Sequence, residues 1–170
     1  MKERQNEASR LIETFKAQGL SLSLAESCTG GMIAAAVTEI AGASDIFWGS
    51  AVTYINSAKE NILGVSKETL ERHGAVSAQC ASEMARGSRK IFGAKVALSV
   101  TGIAGPGGGS AQKPVGTVWF GISTEEGERA FLKTFDGARD EVRSQTVDAA
   151  LAALLEYAKE RASRDGRLNP

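Results

Sequence analysis

Histidine, cysteine and proline are scarce in this chain, with one, two and three copies in 170 residues, and each scarcity closes a route. A single imidazole, on His73, cannot build a zinc site that needs several, and it leaves a serine nucleophile short of its usual base. Cys28 and Cys80 lie far apart and match no metal spacing, so they read as lone thiols of a reducing cytoplasm rather than as a disulfide. Neither sign of charge is in excess. Twenty basic residues balance twenty acidic ones, so no overall positive field would gather nucleic acid, and no helix-turn-helix pattern is recognisable. No apolar run approaches the roughly 18 residues of a membrane span. The charged opening, Lys2-Glu3-Arg4-Gln5-Asn6-Glu7, lacks the apolar stretch of a secretion signal. The expectation is one cytoplasmic domain over residues 1–170, with neither membrane nor nucleic acid as partner. A homo-oligomer is compatible with the sequence, which carries no signal for it.

What is present alternates between helical and extended patterns. Ala8, Leu11, Ile12 and Phe15 recur at helical spacing and predict a helix over 5–18, with Gly19 as its stop. Extended segments are expected over 20–26, 47–55 and 96–100, and helices over 29–41, 56–64, 66–73 and 77–92, the last with Ser77 as a cap. Late in the chain, 115–123 and 129–135 read as two strands joined by the turn Glu125-Glu126-Gly127. A long helix follows over 140–161, and 163–170 reads as a charged, frayed tail. Early βα alternation followed by a hairpin predicts an α/β fold, a three-layer α/β/α sandwich with a mixed sheet.

The most informative segment is Ala25-Glu26-Ser27-Cys28-Thr29-Gly30-Gly31, between an apolar strand and a small-residue helix. Such a turn fixes a nucleophile, and the unpaired amides opening a helix can hold an anion. Ser27 is the first candidate nucleophile and needs a base. His73 lies at a helix end, where capping or surface placement is its ordinary role; with it set aside, the remaining base of suitable character is a lysine. Lys59 follows a strand end much as Ser27 does, and a buried amine of lowered pKa can take a hydroxyl proton. Tyr54 is near enough in sequence to hydrogen-bond one of the pair. By spacing alone, a solvated surface residue is the commoner reading of Lys59.

Cys28 is the competing nucleophile; it and Ser27 are expected to point opposite ways, so that only one faces a pocket. Glu26 reads as a base or as a support for the turn. The glycine-rich run from Thr101 to Ser110 is neither a phosphate-binding P-loop nor a dinucleotide fingerprint. Placed after a buried strand, it reads either as a flexible connection or as a pocket wall whose amides hold a phosphate or oxyanion. Arg139 opens the last helix and Arg143 follows one turn later; they read as phosphate ligands or as exposed ion pairs with Asp136 or Asp140.

Taken together, the Ala25–Gly31 segment, Val52-Thr53-Tyr54 through Ala58-Lys59, His73-Gly74-Ala75-Val76-Ser77, Thr101-Gly102-Ile103-Ala104-Gly105-Pro106 and Lys113-Pro114-Val115-Gly116-Thr117-Val118 resemble one family. It is the C-terminal domain of the competence/damage-inducible CinA proteins, which also occurs as a stand-alone nicotinamide-nucleotide amidase. The resemblance covers about residues 5–160 in the same order. Thr101 stands where a serine is common, and the hydroxyl survives.

The resemblance implies deamidation of nicotinamide mononucleotide to nicotinate mononucleotide and ammonia, with catalytic roles falling on Ser27, Lys59 and Tyr54. The expected path runs through an acyl-enzyme and needs no metal or organic cofactor. Glu26, Cys28, Thr29, Gly30 and Gly31, then Thr101, Gly102, Ile103, Ala104 and Gly105, and lastly Arg139, are expected to contact the nucleotide substrate. Two rival readings remain: a Cys28-dependent amidase of other specificity, and a noncatalytic domain that binds a nucleotide or partner.

Overall fold

The middle strands of the sheet carry large aliphatic side chains on one face and, apart from Trp119, small ones on the other, and the placement of the helices follows from that difference. The computed structural model describes residues 2–168 and contains β1 (Leu22–Glu26), β2 (Phe47–Val52), β3 (Val96–Gly102), β4 (Thr117–Thr124) and β5 (Gly127–Thr134). Their spatial order is β2-β1-β3-β4-β5, with β2, β1 and β3 parallel and β4 and β5 antiparallel. The helices are α1 (Lys2–Ala17), α2 (Met32–Thr38), α3 (Asn56–Leu63), α4 (Lys67–His73), α5 (Ala78–Phe92) and α6 (Arg139–Leu168).

Side chains alternate along a strand, so paired residues in neighbouring strands share a face. Leu24 pairs with Leu98 and Leu98 with Ile122, whereas Ala25 pairs with Ser99 and Ser99 with Gly121. The aliphatic face packs against α1, α2 and α6, whose Leu11, Phe15, Ile33, Val37, Leu151 and Leu154 join one core with it. Phe120 adds a stacked contact with Phe131 of β5, ring centroids 4.9 Å apart.

The small face admits α5 to close range. Ser99 Oγ donates to the Ala81 carbonyl at 2.6 Å and Ser88 Oγ to that of Leu24 at 3.0 Å. A Cβ at Gly121 would lie 2.3 Å from Ala81 O. α5 in turn receives α3, because a Cβ at Gly87 would lie 1.9 Å from Leu63 O. The result is a three-layer α/β/α fold with a mixed sheet.

Several element ends differ from the sequence expectation. The helix expected from residue 29 starts at Met32, because residues 28–31 are used in a turn. The second extended segment ends at Val52, and Thr53 makes a last pairing through its N–H to Glu26 O at 2.9 Å. β3 runs on to Gly102, into the run read as loop, and α6 continues through 163–168. β1 and β3 are parallel, so the Ser27 turn and the glycine-rich loop leave the sheet at the same rim.

Gly87→Ala is expected to lower stability by roughly 1–3 kcal/mol, since a backbone carbonyl must shift to admit the methyl. Urea unfolding of the variant measures that loss.

Candidate active site

Strand parity decides where each residue of the Ala25–Gly31 segment points. Glu26 falls on the aliphatic side, facing α2, and is fully buried. Its carboxylate accepts from Thr29 Oγ1 (2.6 Å) and from the N–H groups of Gly31 (2.9 Å), Ile33 (3.1 Å) and Ala34 (2.8 Å). A carboxylate is favourable at a helix start, where these donors have no partner within the helix. The expectation that Glu26, Thr29, Gly30 and Gly31 contact substrate is therefore corrected: none of the four borders the cleft, and the amides that open α2 are already occupied. Gly30 N–H is taken as well, by Ser27 O at 3.2 Å.

Ser27 emerges one residue later, on the α3 side. Lys59, on the second turn of α3, is 1% exposed, which overturns its reading as a solvated surface residue. Its Nζ lies 3.1 Å from Ser27 Oγ, 2.8 Å from Thr53 O and 3.2 Å from Tyr54 O. Burial pushes the Lys59 pKa down, against a smaller opposing effect of the Cys80 and Cys28 thiols. Three acceptors around one nitrogen also suit the neutral amine. Two N–H bonds serve the two carbonyls, and the lone pair remains for the Ser27 hydroxyl to donate into.

These groups border a cleft of about 280 Å³, together with Thr101, Gly102, Ile103, Ala104, Gly105 and Arg139. Asn56, Ala75, Val76, Gly107 and Gly108 complete the wall. Gly107 and Gly108 lie in the run that the sequence offers as a pocket wall, whereas Asn56, Ala75 and Val76 are not singled out there as site residues. Asn56 had a usable signal, a polar residue at a strand-to-helix junction. Ala75 and Val76 enter because Thr101 Oγ1 donates to Ala75 O at 2.8 Å, tying that turn to β3. Among the described residues no carboxylate borders the cleft, whereas Lys59 and Arg139 both do.

Tyr54 is placed differently from expectation. Its side chain is 57% exposed and its hydroxyl accepts from Arg139 Nη2 at 2.9 Å; only its backbone carbonyl meets Lys59. The chain has left the sheet by this point, so the ring swings outward while the carbonyl faces in. Arg139 also donates through Nη1 to Gly105 O at 2.8 Å, linking the two cleft walls, and it has neither Asp136 nor Asp140 as a hydrogen-bond partner. Arg143 is not a cleft residue; it donates to the carbonyls of Cys28 and Thr29.

Cys28 lines the cleft beside Ser27 and also joins the aliphatic core with Leu24 and Ile33. Burial pushes its thiol up to about 11, although the Cys28 and Thr29 amides and Lys59 pull the other way. A thiol so rarely ionised is a poor nucleophile at neutral pH. Cys28 and Cys80 are both free and buried. His73, exposed at the end of α4, is outside the cleft, and its carbonyl accepts from Lys113 Nζ at 2.9 Å. Among the described residues, no group of three or more His, Cys, Asp or Glu is placed to hold a metal ion, and no helix is long and apolar enough to cross a membrane.

Most of the chain is similar to known proteins. Residues 4–158 match the family model for the CinA C-terminal domain. A nicotinamide-nucleotide amidohydrolase, PncC, of Enterobacter agglomerans is 53% identical over 147 residues, 85% of this chain and 90% of that protein. A CinA-like protein of Geotalea daltonii is 53% identical over 137 residues, 81% of this chain but 33% of its own length. Among solved structures, the competence/damage-inducible protein of Agrobacterium tumefaciens superposes with a TM-score of 0.86 at 47% identity, covering 90% of this chain and 94% of that one. A match across nearly every element, with relatives this similar in sequence and fold, means that the chain belongs to the CinA C-terminal domain family.

Proposed function

We propose that this protein hydrolyses the carboxamide of nicotinamide mononucleotide to nicotinate mononucleotide and ammonia, with Ser27 as nucleophile and neutral Lys59 as its base. The observation that carries the reading is the buried contact of 3.1 Å between Lys59 Nζ and Ser27 Oγ, in a cleft that no carboxylate borders among the described residues. A lysine that carries no catalytic or binding duty is rarely buried away from any counterion, because desolvation penalises its charge. Relatives from Enterobacter agglomerans and Shigella flexneri, 53% and 49% identical, are nicotinamide-nucleotide amidohydrolases, and this chain spans 90% and 87% of their lengths.

The Ser27–Lys59 contact supports the following steps. Lys59 takes the Ser27 proton as Oγ attacks the carboxamide carbon, and the resulting oxyanion needs N–H donors. Protonated Lys59 then donates to the departing ammonia, leaving an acyl-serine that water opens to the carboxylate product. Arg139 keeps N–H groups beyond the two it gives to Tyr54 and Gly105, and a guanidinium without a carboxylate partner suits the nucleotide phosphate. The raised thiol pKa of Cys28 counts against the Cys28-dependent reading. The two free, buried thiols support a reducing cytoplasmic setting.

Ammonia release from the mononucleotide is expected to fall at least about 1000-fold in Ser27→Ala and in Lys59→Met. Retention of most activity by Ser27→Ala would exclude the mechanism. Activity of the wild type is expected to rise with pH through a midpoint below the usual lysine value, because only the neutral amine accepts the proton.

The same lowered pKa links to stability. Folded Lys59 releases its proton before the unfolded residue does, so the charged amine costs stability at low pH and that cost is relieved as pH rises toward 10.5. Wild type should therefore gain stability relative to Lys59→Met across that window, as measured by urea unfolding at several pH values. Arg139→Ala should raise KM for the mononucleotide about tenfold or more, with little change for free nicotinamide.

A further inference from the structure

We propose that Arg143 is a positioning residue for acyl transfer, holding the carbonyls of the nucleophile turn so that the Cys28 N–H, next to Ser27, can receive the oxyanion. The inference rests on the Ser27 reading above. Arg143 Nε donates to Cys28 O at 3.1 Å and Nη2 to Thr29 O at 2.8 Å, reaching across from α6 to the nucleophile turn. In a trans peptide the N–H points opposite to the C=O of the same unit. Holding Cys28 O therefore aims Thr29 N–H away from Arg143, and holding Thr29 O orients Gly30 N–H, which closes the turn on Ser27 O at 3.2 Å.

The remaining donors of the turn are accounted for. Glu26 accepts from Gly31, Ile33 and Ala34, leaving the N–H groups of Cys28 and Thr29, and among the described residues no oxygen accepts either one. Of the two residues, Cys28 borders the cleft beside Ser27 and Thr29 does not. The Gly30 bond to Ser27 O sets the Ser27–Cys28 peptide, and with it the Cys28 N–H beside the nucleophile. Arg143 and Glu26 grip the turn from two sides, one through carbonyls and the other through amides, so neither peptide plane is free to rotate. An alanine at 143 would leave Glu26 holding Thr29 Oγ1 and the start of α2, while the Cys28 and Thr29 carbonyls lose the guanidinium that holds them.

The test uses the full chain with nicotinamide mononucleotide, measuring kcat and KM separately by ammonia release. Arg143→Ala is expected to lower kcat about 100-fold with KM nearly unchanged and the acid limb of the pH profile in place. Arg143→Lys, which can reach one carbonyl but not fork onto two, should fall between. Millimolar methylguanidine should restore part of kcat in Arg143→Ala and none in Ser27→Ala. An active wild type with unaltered kcat in Arg143→Ala would overturn the proposal, as would a loss that methylguanidine does not relieve or one that appears only in KM. A wild type silent on the mononucleotide would instead defeat the Ser27 reading, and this proposal with it.

Discussion

A primary amine held out of water beside a serine hydroxyl, with two backbone carbonyls and no acid for company, is the constraint on which the rest of the structure depends. Lys59 reaches that position only because α3 begins directly after the second strand and is drawn onto α5. α5 can lie so low because the sheet beneath it offers serine, alanine and glycine. An aliphatic residue in place of Ser99 or Gly121 would lift α5 and carry α3 with it. The chemistry at the rim is thus prepared by side-chain size several residues deep.

The turn that bears Ser27 is fixed by two charged groups that do not border the cleft. Glu26 satisfies the first amides of α2, so no loose donor remains there to bind an adventitious anion. Arg143 occupies the carbonyl side of the same turn. Both charges are used on neutral backbone groups, which places them beside the reacting atoms without competing for the substrate. The cleft itself keeps a positive character from Lys59 and Arg139, in keeping with an anionic nucleotide.

Much of the fold is legible in the sequence, because hydrophobic periodicity and the glycine stops mark most elements and the order of strands and helices implies a mixed sheet. Element ends are less so, since a strand's last pairings depend on its neighbours: Gly102 reads as loop yet still pairs with Val118. Ser27 is visible from its setting alone. Lys59 is not, because its burial is created by the Ser27 turn and by the packing of α3 on α5, which local spacing does not encode, and only a resemblance raises it above a surface lysine. Glu26 reads as a polar residue in an active-site turn, although its parity with Leu22 and Leu24 already places it on the opposite side from Ser27. Tyr54 reads as a neighbour of the pair; its ring points elsewhere because the chain has left the sheet.

The unequal faces of the sheet have a consequence for how such a chain can vary. On the aliphatic side, exchanges among leucine, isoleucine and methionine conserve volume and are absorbed by adjustments in three helices. On the opposite side almost every change enlarges a residue that has no room to grow, as at Gly121. Sequence drift is therefore funnelled to one half of the molecule. The half that carries the nucleophile and its base is sheltered from it by steric intolerance, even at positions that never meet a substrate.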